Sequence, residues 1–192
     1  TQYTRGNFSA SAPAFSPDSE HLSFISKRGE GDSAKSQVWI MPLFGGEARQ
    51  LSDAENNVGA YKWSPTGDRI AFSMQDPFSE EREREIEEKR DVILVDQQPR
   101  YSHLHVVPMS DSSSKSSKSV QITAGELVVG DFSWSPDGGE IAFSHKPTAD
   151  LNVANQHGDI SIVTVPSSSS IVASSTNNGP DLEGPRDPLH LG

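Results

Sequence analysis

The chain contains no cysteine. That excludes a disulfide framework, a thiolate metal site and a cysteine nucleophile. No apolar run approaches the ~18 residues of a membrane-spanning helix. Basic residues are scarce: 16 Lys and Arg stand against 27 Asp and Glu, for a net charge of −11. Nucleic-acid binding relies on basic patches that neutralise phosphates, so neither nucleic acid nor a membrane is an expected partner. There is no Gly-rich loop of phosphate-cradling spacing, and Gly29-Glu-Gly31 and Gly138-Gly139 suit hairpin loops instead. The G-x-S-x-G nucleophile elbow is also missing. No signal peptide is visible, and the cytoplasm is narrowly favoured as the compartment. Asn7-Phe-Ser9 is the one glycosylation sequon, relevant only if the chain is secreted.

What the chain does have is a repeat. Trp63-Ser-Pro-Thr-Gly-Asp-Arg-Ile-Ala-Phe72 recurs as Trp134-Ser-Pro-Asp-Gly-Gly-Glu-Ile-Ala-Phe143, and Phe15-Ser-Pro-Asp-Ser-Glu-His-Leu-Ser-Phe24 precedes both. In each copy an aromatic residue ends a short strand and Ser-Pro-x-x makes a turn. Pro17, Pro65 and Pro136 set φ for the turn, and Gly67 and Gly138 tolerate φ > 0. Ser19 occupies the glycine position of the first copy, a weaker turn signal. A second strand follows at Leu22–Phe24, Ile70–Phe72 and Ile141–Phe143. A third is expected at Gln37–Pro42, Ser102–Pro108 and Asp159–Val165. A fourth ends at Ser52 and Thr123.

The phase is strict. Ser52 lies 11 residues before Trp63, Thr123 lies 11 before Trp134, and Thr4 lies 11 before Phe15. Four antiparallel strands per repeat describe a β-propeller blade. The expected fold is all-β: about three four-stranded antiparallel blades of a partial propeller, preceded by the last strand of another blade. The propeller occupies 1–175, with blades at about 13–52, 60–123 and 131–175. An irregular tail or interrupted next blade covers 176–192. Propellers usually need about four to eight blades to close. The chain is therefore expected to be a fragment, marginal or aggregation-prone alone, with unpaired strand edges and a half-covered face.

Blade two carries two insertions. Ser79–Arg90 reads as a short solvated helix, with Ser79 as N-cap and Lys89-Arg90 in the last turn. Asp111–Ser119 is low-complexity loop.

The residues just quoted resemble the propeller repeat of the prolyl oligopeptidase family of serine peptidases and of TolB-like periplasmic proteins. The strand Gln37-Val-Trp-Ile-Met and the Gly45-Gly-Glu-Ala-Arg-Gln-Leu-Ser52 segment add to the resemblance, which covers about Thr1 to Val165. The charged insertion, Asp91-Val-Ile-Leu-Val-Asp96 and Tyr101-Ser-His-Leu-His-Val-Val107 are similar to the acylaminoacyl-peptidase branch. The resemblance implies a non-catalytic propeller that gates short peptides toward an α/β-hydrolase domain. Its implied partners are further blades and that hydrolase domain, in the same polypeptide, together with peptide substrates. A TolB-like scaffold for protein–protein interaction is the alternative. A propeller glycosidase or lyase is a third reading, for which no isolated acidic pair stands out.

No catalytic, cofactor-binding or metal-binding residue is assigned, and no cofactor is expected. Several residues still warrant placement. His103 and His105 lie two apart on one strand and share a face. They are either two ligands of a metal lacking a third, or surface or inter-blade histidines. Glu80–Glu88 is either an amino-terminus recognition element or an exposed helix face. Asp18, Asp68 and Asp137 are expected to close turns, and Trp63, Trp134, Phe72 and Phe143 to pack between blades.

Overall fold

The computed structural model describes residues 8–28, 34–78, 84, 100–109, 118–147, 158–167 and 170. Thr1–Thr4, most of the Ser79–Arg90 insertion, 91–96, most of the Asp111–Ser119 loop, Ile171–Ser175 and the 176–192 tail lie outside them. The repeat folds into three successive antiparallel groups. The first contains β1 (Ala10–Phe15), β2 (His21–Lys27), β3 (Ser36–Pro42) and β4 (Arg49–Gln50), hydrogen-bonded in that order. The second contains β5 (Val58–Trp63), β6 (Arg69–Gln75), β7 (Ser102–Pro108) and β8 (Val120–Gln121). The third contains β9 (Val128–Trp134), β10 (Glu140–Lys146) and β11 (Asp159–Thr164). This is a partial β-propeller, with the aromatic residue closing the first strand of each blade as its sequence position requires.

The Ser-Pro turns share one hydrogen-bond pattern. The Ser16, Ser64 and Ser135 N–H groups donate to the His21, Arg69 and Glu140 carbonyls at 3.0, 2.9 and 2.9 Å. The serine hydroxyl oxygen accepts the N–H of those same residues at 2.9, 3.2 and 2.9 Å. The Ser16, Ser64 and Ser135 hydroxyls donate in turn to Asp18, Asp68 and Asp137. The Ser16 hydroxyl and the Glu20 N–H hold the Asp18 carboxyl below the ordinary carboxylate range, and Ser135 and Gly139 do the same for Asp137. Ser19 adopts φ 60°, beside 73° at Gly67 and 72° at Gly138. The first turn therefore keeps the left-handed geometry without its glycine.

Each first strand also carries a register shift, between Ser11 and Ala14, between Val58 and Tyr61, and at the Val129–Phe132 stretch facing Phe143 and His145. In the second and third blades a serine on the next strand fills the irregularity. Ser73 Oγ accepts from the Ala60 N–H, and Ser144 Oγ from the Asp131 N–H, both at 3.0 Å. The residue before each is glycine because a Cβ at Gly59 or Gly130 would stand 2.9 or 2.6 Å from that hydroxyl oxygen.

The core is two inter-blade seams rather than one centre. One cluster joins Val38, Ile40 and Leu51 of the first blade to Tyr61, Ile70 and Phe72 of the second. The other joins Leu104, Val106 and Ile122 of the second to Phe132, Ile141 and Phe143 of the third. Hydroxyls fix the fourth strand in phase. The Val38 N–H donates to Ser52 Oγ, and the Leu104 N–H to Thr123 Oγ1, each at 2.9 Å. Ser52 and Thr123 thus hold the same place at the end of their blades' fourth strands.

Ser19→Gly is expected to raise stability by roughly 0.5–1 kcal/mol, because it removes a Cβ from a left-handed position. Urea unfolding of the two proteins measures it; a lower midpoint would show that the serine side chain contributes more than its backbone strain costs.

Candidate functional site

The first strands of successive blades converge. The Tyr61 hydroxyl donates to Ala12 O at 2.7 Å, and Lys62 Nζ pairs with Asp131 Oδ1 at 2.8 Å. These strands therefore form the inner side of the arc, where a propeller's central channel lies. The Lys62 ammonium, hydrogen-bonded to Asp131, holds that carboxyl below its usual range. Asp131 is exposed, and such pairs contribute little to stability in water. The bridge instead places a paired cation and anion on the inner rim.

Behind the rim the tryptophans reach back to the preceding blade. Trp63 Nε1 donates to Ser23 Oγ at 2.8 Å, and Trp134 Nε1 to Lys62 O at 3.2 Å. Ser23 Oγ also lies 2.9 Å from the Tyr61 hydroxyl. Burial raises the Tyr61 pKa, so the phenol stays protonated and available as a donor.

Arg69 is the charged centre of the second seam. Its Nη2 donates to Gly138 O at 3.0 Å and its Nη1 to Pro166 O at 2.7 Å. Its Nε lies 3.3 Å from Asp68 Oδ2, and the guanidinium sits 5.5 Å from the Trp134 ring centroid. One buried cation thus ties the turn of the second blade to the turn and the β11 end of the third. The repeat gives no hint of this, since His21 and Glu140 occupy the corresponding positions.

Both histidines are buried on β7, against residues of their own blade. His103 Nδ1 lies 3.3 Å from Thr123 Oγ1 and its Nε2 3.4 Å from Asp76 Oδ2. It corresponds to Gln37, whose Oε1 accepts from the Ser52 hydroxyl at 2.6 Å. His105 stacks on Phe72, with ring centroids 5.4 Å apart and planes 14° apart, and its buried Nε2 has no hydrogen-bond partner. Burial, with the nearby His103, pushes the His105 pKa down to about 4. Asp18, Glu20 and His21 are the one group of three metal-capable side chains within reach of each other among the described residues. Asp18 Oδ1 is already engaged by the Ser16 hydroxyl and the Glu20 N–H, as Asp137 is in its own turn. The Glu80–Glu88 stretch lies outside the described residues but for Arg84.

No family model matches the chain. Among curated proteins it is similar to the uncharacterized peptidase YuxL of Bacillus subtilis, at 30% identity over 169 residues. That match takes in 81% of this chain but 24% of the relative, so the chain spans about a quarter of the peptidase it matches. Among solved structures, a putative TolB from Agrobacterium tumefaciens superposes with TM-score 0.51 at 15% identity, over 85% of this chain and 47% of that one. A prolyl endopeptidase studied for the role of inter-domain dynamics gives TM-score 0.51 at 14% identity, over 86% of this chain and 22% of that one. The structural likenesses establish the propeller fold.

Two outcomes follow from the seams. Arg69→Met is expected to cost roughly 2–4 kcal/mol, because two buried carbonyls lose a charged donor. Arg69→Lys should recover only part of this, since an ammonium cannot span both; urea midpoints at constant m measure each. His105 is expected to make stability fall as pH drops from about 6.5 toward 4. The unfolded imidazole takes up a proton in that window and the folded one does not. The full difference is about 3 kcal/mol and is complete below the folded pKa. His105→Phe should flatten the pH 4.5 to 7 portion of the stability curve; an unchanged slope would assign it to other groups.

Proposed function

We propose that this chain, a partial β-propeller similar to those of prolyl-oligopeptidase-family serine peptidases and TolB-like proteins, is the substrate-gating portion of a larger serine peptidase. The observation that carries the reading is the 30% identity with a named peptidase along most of this chain. The coverage suits a propeller segment linked to further blades and an α/β-hydrolase domain, which would supply the nucleophile, acid and base. No residue of this chain is given a catalytic role.

In this reading the blades do steric and electrostatic work. The inner strands present backbone, small side chains such as Ala60, and the Lys62–Asp131 pair toward the channel. A channel so lined admits an extended peptide and rejects a folded domain by size. The seams set how rigid the opening is, because widening it means separating Trp63 from Ser23 or Arg69 from Gly138. A second reading, a TolB-like scaffold that binds proteins through its blade surfaces, draws on the equally close fold likeness to the putative TolB.

The test begins with the reading frame that contains this chain. It is expected to continue into an α/β-hydrolase domain, and the full protein should cleave short peptidyl nitroanilides. Loosening the second seam by Arg69→Ala should let longer peptides be cut while short-peptide kcat/KM changes less than about threefold, since a gate acts on access rather than on chemistry. A frame that closes without a hydrolase domain would overturn the peptidase reading and favour the scaffold.

A further inference from the structure

The three first strands are almost free of charge. β1 reads Ala-Ser-Ala-Pro-Ala-Phe, β5 Val-Gly-Ala-Tyr-Lys-Trp and β9 Val-Val-Gly-Asp-Phe-Ser-Trp, so Lys62 and Asp131 are the one cation and the one anion among them. The repeat explains neither. Asp131 lies three residues before Trp134, where the first two copies have Ala12 and Ala60. Lys62 lies one residue before Trp63, where the other copies have Ala14 and Ser133. The turn acids are different, because Asp18, Asp68 and Asp137 are each hydrogen-bonded to the serine of their own turn. Asp131 closes no turn.

The two charges of the pair are not presented equally. The Lys62 ammonium is taken up inside the rim. It donates to Asp131 Oδ1 at 2.8 Å and to the Phe132 carbonyl, and it lies 5.3 Å from the Phe132 ring centroid. Its side chain is 42% exposed, whereas that of Asp131 is 86% exposed. The carboxylate is therefore the outward group. Its backbone is fixed on both sides, with the Asp131 N–H donating to Ser144 Oγ at 3.0 Å and the Ser144 hydroxyl donating to Asp131 O at 3.2 Å. Lys62 and the Phe132 N–H both hydrogen-bond the carboxylate, which keeps it ionised. A fixed, ionised carboxylate facing solvent selects cations, through charge-assisted hydrogen bonds. The net charge of −11 adds a field of the same sign.

We propose that Asp131 is a specificity residue of the gate, binding the cationic group of an incoming peptide: its α-ammonium or a Lys or Arg side chain. The inference rests on the reading of this chain as a peptidase gate. Asp131 belongs to an inner strand, so it meets the peptide on its way to the hydrolase domain rather than at the bond to be cut. Its contribution therefore falls on KM more than on kcat.

Peptide cleavage by the full-length protein that contains this chain tests it. The substrates are peptidyl nitroanilides of one length, with lysine, norleucine or glutamate at one position remote from the scissile bond. Each is made with a free and with an acetylated amino terminus. A cationic peptide is expected to exceed its neutral counterpart about two- to fivefold in kcat/KM at low salt, the worth of one exposed charge pair. The ratio should shrink toward one as salt is raised. Asp131→Asn should bring the ratio close to one at low salt, and Asp131→Lys should reverse it in favour of glutamate. Glu47→Gln removes the same charge from an exposed loop outside the rim and should leave the ratio as it is. A preference lost on acetylation assigns the bound group to the α-ammonium; one that persists with lysine assigns it to the side chain. Cleavage with a ratio near one in the unaltered protein, or a ratio that Asp131→Asn leaves standing, would overturn this inference alone. A protein that cleaves none of the peptides would overturn the peptidase reading and this inference with it.

Discussion

Everything in this fold depends on the burial of one blade's face by the next. A four-stranded sheet with an apolar face is not self-sufficient in water, and hydrophobic burial is the main favourable term available to it. Here the burial takes place between neighbours, in two separate clusters, each drawn from two consecutive blades. Stability is therefore a nearest-neighbour property, as in other repeat architectures. The middle blade contributes to both clusters and is covered on both faces.

Polar groups give these apolar seams their register. The tryptophan indoles, the Tyr61 phenol and the Arg69 guanidinium all cross from one blade to another and end on a carbonyl or hydroxyl. An apolar surface alone would tolerate sliding; a donor that must find one particular acceptor does not, because leaving it unpaired and buried costs about 1–3 kcal/mol. His105 is the exception. It is buried in a stack with Phe72 and keeps an unpartnered nitrogen, which is tolerable while the ring is neutral and unfavourable once it is protonated.

The inner rim connects architecture to the proposed gating role. First strands carry register irregularities, and irregularities of this kind bend and twist a strand. Gly59 and Gly130 permit the serine of the neighbouring strand to approach there. The same strands carry the Lys62–Asp131 pair on the inner side of the arc, where the proposed gate would present it to a peptide.

Much was legible in the sequence because the repeat fixes turn chemistry and strand phase locally. Trp63-Ser-Pro and Trp134-Ser-Pro announced the end of a first strand. The Ser52 and Thr123 spacing marked the fourth, and the asparates at 18, 68 and 137 occupied turns that any four-residue window can specify. Ser19 shows the margin of such rules: the surrounding hydrogen bonds hold a left-handed backbone where glycine was expected. Other features came only from tertiary structure. Arg69 meets Gly138 and Pro166 across 69 and 97 residues of chain, and no local pattern encodes a partner that distant. His103 and His105 alternated correctly along a strand. Only the folded structure decided that they are buried against Thr123, Asp76 and Phe72 of their own blade, because burial and partner identity are properties of the packed chain.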